Sequence, residues 1–92
     1  MARRKPEMHM TLDDLKPGEH AIIRAVRGEG ALRLRLLDMG LIPRTKLIFR
    51  KVAPMGDPIE INIRGYELTL RVAEAKNIEV EKIENSETEA KI

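Results

Sequence analysis

The sequence predicts a mainly β fold, a small barrel of about five short strands with one short helix after the first strand and a helical turn before the last. Three observations carry this reading. Ile59, Ile61 and Ile63 alternate with Glu60, Asn62 and Arg64, the two-residue period of a strand with one buried face and one wet face. Glycine and proline punctuate the chain between short apolar runs, which leaves room for strands rather than long helices. The one stretch with helical spacing is too short to cover a flat sheet, so the sheet must curl onto itself to bury its apolar face and remove its edges.

In chain order, residues 1–10 carry Arg3, Arg4 and Lys5 without periodicity and are expected to form a flexible basic arm. Thr11, followed by Asp13 and Asp14, can start a short helical turn, because its hydroxyl accepts from backbone amides just downstream. Lys16-Pro17-Gly18-Glu19 stops that turn. His20 to Val26 is β-branched and apolar enough for the first strand, and Gly28-Glu29-Gly30 ends it. From Ala31 to Met39 the period changes: Leu32, Leu36 and Met39 recur at helical spacing, with Gly40 as a left-handed stop and Pro43 closing the exit.

Lys46 to Val52 makes the second strand and the Ile59 to Ile63 alternation the third, joined through Pro54, Gly56, Asp57 and Pro58, residues suited to a tight connection. Gly65 permits a reversal into Tyr66, Leu68 and Leu70. A helical turn fits 72–76, and Ile78 and Val80 alternate with Glu79 and Glu81 as the last strand. Ile59, Ile61, Ile63, Tyr66, Leu68, Leu70 and Val80 are the expected core, and the expected architecture is a small SH3-like barrel over 11–83 followed by a flexible acidic tail over 84–92.

Composition narrows the function. With 92 residues and no Cys, the chain is one small domain without disulfides or a Cys-based zinc site. Its only serine, Ser86, lies in the acidic tail and its only histidines are His9 and His20, which excludes serine or cysteine nucleophile chemistry. No apolar run approaches the length of a membrane span and the opening residues lack the apolar stretch of a signal peptide, so a cytoplasmic protein without membrane insertion is expected. The net charge of +2 is uneven: Arg24 to Arg71 holds ten basic residues against five acidic ones, whereas the segment from Glu74 onward holds six Glu against three Lys. A basic body can meet an acidic protein, a nucleic acid or an anionic surface, and its sign alone does not choose.

Most motifs have plain explanations. Gly28-Glu29-Gly30 lacks a third glycine, since Arg33 stands where a dinucleotide fingerprint would need one, and reads as a strand-to-helix turn. Met8-His9-Met10 offers soft ligands on an arm without preorganisation, so any transition metal is expected to bind weakly and no metal or cofactor site is assigned. Asp13, Asp14, Asp38 and Asp57 fall on turns or helix edges, so no catalytic residue is assigned and no enzyme is expected. Phe49 and Tyr66 sit in strand patterns, which leaves no stacking platform for bases, and no nucleic-acid partner is expected. The helix exit differs. Leu37, Met39, Leu41 and Ile42 cluster around Gly40 and Pro43 with Arg33, Arg35 and Arg44 nearby, the pattern of an apolar contact inside a charged rim; core packing of the same residues is the competing reading.

Three segments together, Leu36-Leu37-Asp38-Met39-Gly40-Leu41-Ile42-Pro43, then Val52-Ala53-Pro54-Met55-Gly56-Asp57-Pro58-Ile59, then Arg64-Gly65-Tyr66-Glu67-Leu68-Thr69-Leu70-Arg71, resemble the FeoA family of small accessory proteins of bacterial and archaeal ferrous iron uptake. The resemblance runs over about residues 11–83. It implies an SH3-like barrel, no catalysis, and contact with FeoB, a membrane transporter with a cytoplasmic G-protein domain; a homo-oligomer is a further expected partner. The family usually places glycine after the proline of the first segment, whereas Arg44 follows Pro43 here, so the turn is expected without a positive φ at 44.

Two function classes follow. One is a protein-binding regulator of a ferrous iron transporter. The other is a metal-responsive or nucleic-acid-associated regulator, because related SH3-like domains occur at the end of metal-dependent repressors; the lack of a helix-turn-helix pattern argues against its DNA-binding form.

Overall fold

Alternation in the sequence becomes a six-stranded antiparallel sheet in the computed structural model, which describes residues 10–83. The strands are β1 (Met10–Thr11), β2 (His20–Val26), β3 (Lys46–Val52), β4 (Ile59–Ile63), β5 (Tyr66–Leu70) and β6 (Ile78–Ile83), in the order β1-β6-β2-β3-β4-β5. Helix α1 (Gly30–Asp38) and the short α2 (Val72–Ala75) stand where the helix and the helical turn were expected. The mainly β, SH3-like fold therefore agrees with the sequence reading.

β4 shows why the pattern works: Ile59, Ile61 and Ile63 are all buried, while Glu60 and Asn62 are half-buried on the other face. In β2 and β3 the strict alternation is broken by register shifts between Ile23 and Ala25 and between Phe49 and Lys51. Such bulges bend a strand and increase its twist, so the sheet coils around its own inner face. Inside it lie Ile23, Leu47, Ile61, Ile63, Ile78 and Val80, and also buried in this core are Leu12 of a 3₁₀ turn (Leu12–Asp14), Leu15 just after it, Leu36 of α1 and Ala75 of α2.

Four expectations change. The residues 1–9 of the expected arm and the acidic tail 84–92 lie outside the described residues, but Met10 belongs to a strand, paired with Val80. Among the described residues coiling does not close the sheet into a hydrogen-bonded barrel, because β1 and β5 end the strand order as edges. Leu68 is partly buried against the core rather than enclosed in it. Tyr66, expected inside, is 42% exposed. It lies on the inward parity of β5 but at the rim, and its phenol needs a polar partner, which the Met39 carbonyl supplies by accepting its hydrogen bond at 2.6 Å.

Candidate functional site

The exit of α1 is organised by its backbone. Gly40 has φ 100°, its N–H donates to Leu37 O at 2.9 Å, and the N–H of Leu41 donates to Leu36 O at 3.2 Å. These two bonds form the left-handed helix stop that pairs an apolar residue after the glycine with one on the last turn. Here the pair is Leu41 and Leu36, both without exposed surface. Leu41 is thus a core residue and not part of an exposed contact. The Leu-x-x-x-Gly-Leu spacing held that information.

Pro43 and Arg44 occupy the centre of the next turn, closed by the Thr45 N–H donating to Ile42 O at 3.1 Å. Arg44 has φ 76°, contrary to the expectation of a turn without positive φ. A proline followed by a left-handed residue is the type II arrangement, in which glycine is the unstrained choice. The conformation is held because the Arg44 N–H donates to Ile23 O at 2.7 Å and Thr45 O accepts from Ile23 at 2.9 Å, which docks the turn on β2. Arg44→Gly is expected to raise stability by roughly 1 kcal/mol in urea unfolding, since relief of left-handed strain outweighs the added chain entropy; a loss of stability would show that the Arg44 side chain packs usefully.

The remaining residues of the expected contact divide. Leu37 and Met39 are partly buried against the core, and Ile42 is 39% exposed. Tyr66 stands beside them through its bond to Met39, and neither Tyr66 nor Leu34, 62% exposed on α1, was expected at the surface. Arg33 donates from Nε to Val26 O at 3.1 Å, and Arg35 pairs with Glu74. The Arg71 backbone N–H, donating to Glu74, and the Arg35 guanidinium hold the Glu74 carboxyl below the usual glutamate range. Those two arginines are therefore fixed to the fold, whereas Arg44 forms no ion pair among the described residues. What the arrangement offers is a small apolar surface, Ile42, Met39 and Tyr66, with Arg44 beside it.

The second candidate is the hairpin between β3 and β4. Gly56 has φ 92° and donates to Ala53 O at 2.7 Å, which places Pro54 and Met55 at the tip, where Met55 is 91% exposed. Asp57 turns inward and accepts from the Val72 N–H at 3.0 Å, tying the loop to α2, and the Asp57–Pro58 peptide is cis. At the other end of β4, Arg64 and Gly65 both have positive φ, 55° and 88°, the mirror-image turn that matches strand twist.

Among the described residues there is no group of three or more His, Asp or Glu able to hold a metal ion, and no helix long and apolar enough to cross a membrane. His20 is a half-buried strand residue opposite Ile48 and Ile83, while Met8 and His9 lie outside the described residues.

This geometry has relatives. The chain is 37% identical over 79 residues to the Fe(2+) transport protein A/Fe(2+) transporter FeoB fusion protein of Porphyromonas gingivalis, an alignment covering 86% of this chain but only 9% of that curated relative. Among solved structures, the NMR structure of a FeoA-like protein from Clostridium acetobutylicum is similar at 34% identity and a TM-score of 0.77, covering 83% of this chain and 88% of that one. The crystal structure of Stenotrophomonas maltophilia FeoA complexed with zinc, called a procaryotic SH3 domain protein, is similar at 25% identity and a TM-score of 0.69, covering 78% and 89%. A family model, the FeoA domain, matches residues 10–82, and with the first segment now read as a buried helix stop, the second as the exposed hairpin and the third as β5 with its turn, the chain belongs to the FeoA family.

Proposed function

We propose that this chain is a non-enzymatic, cytoplasmic accessory protein of ferrous iron uptake that acts by contact with the cytoplasmic region of a FeoB-type transporter. The observation that carries this is the relative in which an Fe(2+) transport protein A and FeoB are one polypeptide, since fusion keeps two cooperating modules at high effective concentration. The contact is the surface at the exit of α1, with Ile42, Met39, Leu37 and Tyr66 as the apolar part and Arg44 as the free charge; Arg33 and Arg35, held at Val26 and Glu74, shape its rim. An apolar anchor supplies affinity there, and a peripheral cation supplies orientation and approach rate.

Binding of the transporter's separately produced cytoplasmic region, followed by biolayer interferometry, tests this. Ile42→Glu is expected to weaken binding at least tenfold while circular dichroism shows an intact fold, because Ile42 is exposed. Arg44→Glu is expected to slow association chiefly at low salt. Native binding by Ile42→Glu moves the contact to the Met55 hairpin. If the transporter region does not bind but duplex DNA is retarded at moderate salt, the nucleic-acid-associated reading replaces this one.

A further inference from the structure

The two edges of the sheet are not equally protected. Among the described residues β1 contributes only Met10 and Thr11 to its edge, a short template for pairing. β5 runs five residues, Tyr66-Glu67-Leu68-Thr69-Leu70, pairs with β4 in unbroken register, and contains no lysine, no proline and no bulge. Those are the usual devices that blunt an edge.

The register shows which groups this edge presents. Ile63 and Tyr66 flank the two-residue Arg64-Gly65 turn and so form a hydrogen-bonded pair, which directs the N–H and C=O of Tyr66, Leu68 and Leu70 toward β4. Those of Glu67 and Thr69 point the other way, and among the described residues neither makes a backbone bond outside the strand ladders. Arg71 ends the edge, because its N–H is taken by the Glu74 carboxylate and its C=O accepts from Glu74 and Ala75.

We infer that the β5 edge pairs antiparallel with β5 of a second copy of this chain, about a two-fold axis at Leu68. In this register Glu67 of each copy stands opposite Thr69 of the other, so the four free groups of each copy bond reciprocally. On the inner face Leu68, partly buried, stands opposite Leu68 of the other copy, and Tyr66, 42% exposed, stands at the position opposite Leu70, whose own side chain is buried in its core. The Leu68 pair is the apolar contact. On the outer face Glu67 lies diagonally across from Arg71 of the other copy, an opposite-charge neighbour. The self-complementarity is that of an isologous dimer. A five-residue edge buries well under the roughly 1,200 Å² of a stable interface, so the dimer is weak and concentration-dependent. This inference goes beyond the transporter contact and does not depend on it.

Sedimentation equilibrium of the full chain from about 10 µM to about 1 mM is expected to show the average mass rising from monomer toward dimer. Thr69→Pro removes a donor that points away from β4, so the fold is retained and the mass stays that of the monomer throughout. Because the chain has no cysteine, an introduced one reports directly. Leu68→Cys places two thiols in a non-hydrogen-bonded pair, with Cα atoms within disulfide reach, and cross-links on mild oxidation; Thr69→Cys, offset by two residues from its counterpart, does not. The inference is overturned by a monomer at every concentration, by a dimer that Thr69→Pro leaves unchanged, or by equal cross-linking of the two cysteine variants. It is also overturned if the chain stays monomeric and the Thr69 amide gains exchange protection only when the transporter's cytoplasmic region is added.

Discussion

Leu41→Glu is expected to abolish the folded state under conditions where Ile42→Glu stays folded. The two residues are neighbours, yet Leu41 has no exposed surface and Ile42 is 39% exposed. Removing a buried leucine costs about 2–5 kcal/mol, and leaving a carboxylate in its place without a partner adds several more. A small domain is stable by only about 5–15 kcal/mol, so the sum consumes most or all of that margin. Far-UV circular dichroism through a urea series measures both variants. A folded Leu41→Glu protein with less than about 1 kcal/mol of loss would return Leu41 to the surface and to the contact it was first expected to make.

Gly40→Ala carries the second large effect, for two separable reasons. The position has φ 100°, which costs an L-residue about 1–3 kcal/mol. An added Cβ would also press well inside van der Waals contact of the Tyr66 hydroxyl, the group that bonds Met39. Tyr66→Phe alone is expected to cost about 1 kcal/mol for the lost hydrogen bond. In the Tyr66→Phe background the cost of Gly40→Ala should fall, because the obstructing oxygen is gone, leaving the backbone part. Urea midpoints for the four proteins of this cycle measure it. Strict additivity would show that the ring already moves aside and that only backbone strain opposes a side chain at position 40.

How far these features could be read from residues alone depended on whether a local rule decided them. The Ile59, Ile61 and Ile63 alternation was legible because a period of two admits only one face per residue, and β4 is regular throughout. Gly40 was legible as a helix stop. The fate of Leu41 was written in the same motif, but weighing the apolar cluster as surplus surface obscured the rule that the residue after the glycine packs on the last helical turn. Tyr66 failed in the opposite direction: its parity faces inward, but Leu36 and Leu41 already close that end of the core. Which large side chain is left at the rim is a property of the assembled fold. Arg44 shows tertiary bonds overriding local preference, since its two-sided docking on Ile23 holds a turn that favours glycine. The open edges were not legible either, because nothing in a strand's own residues says whether the first and last strands meet.

The strand order also sets the timing of assembly. β2 to β5 are joined in succession, as each pairs with the next in sequence, and this meander can form from near neighbours. β6 instead returns across the whole meander to lie beside β2, with Ile83 opposite His20, and only then gives β1 its partner. Pairings so distant in sequence are slow to form. During synthesis, therefore, β2 leaves the ribosome long before its neighbour exists, and it waits with one side uncovered and its apolar residues unshielded. The meander is vulnerable to association with other nascent chains until translation delivers β6. Among the described residues β6 completes the sheet, so a chain that stops before Ile78 leaves the outer side of β2 without its partner.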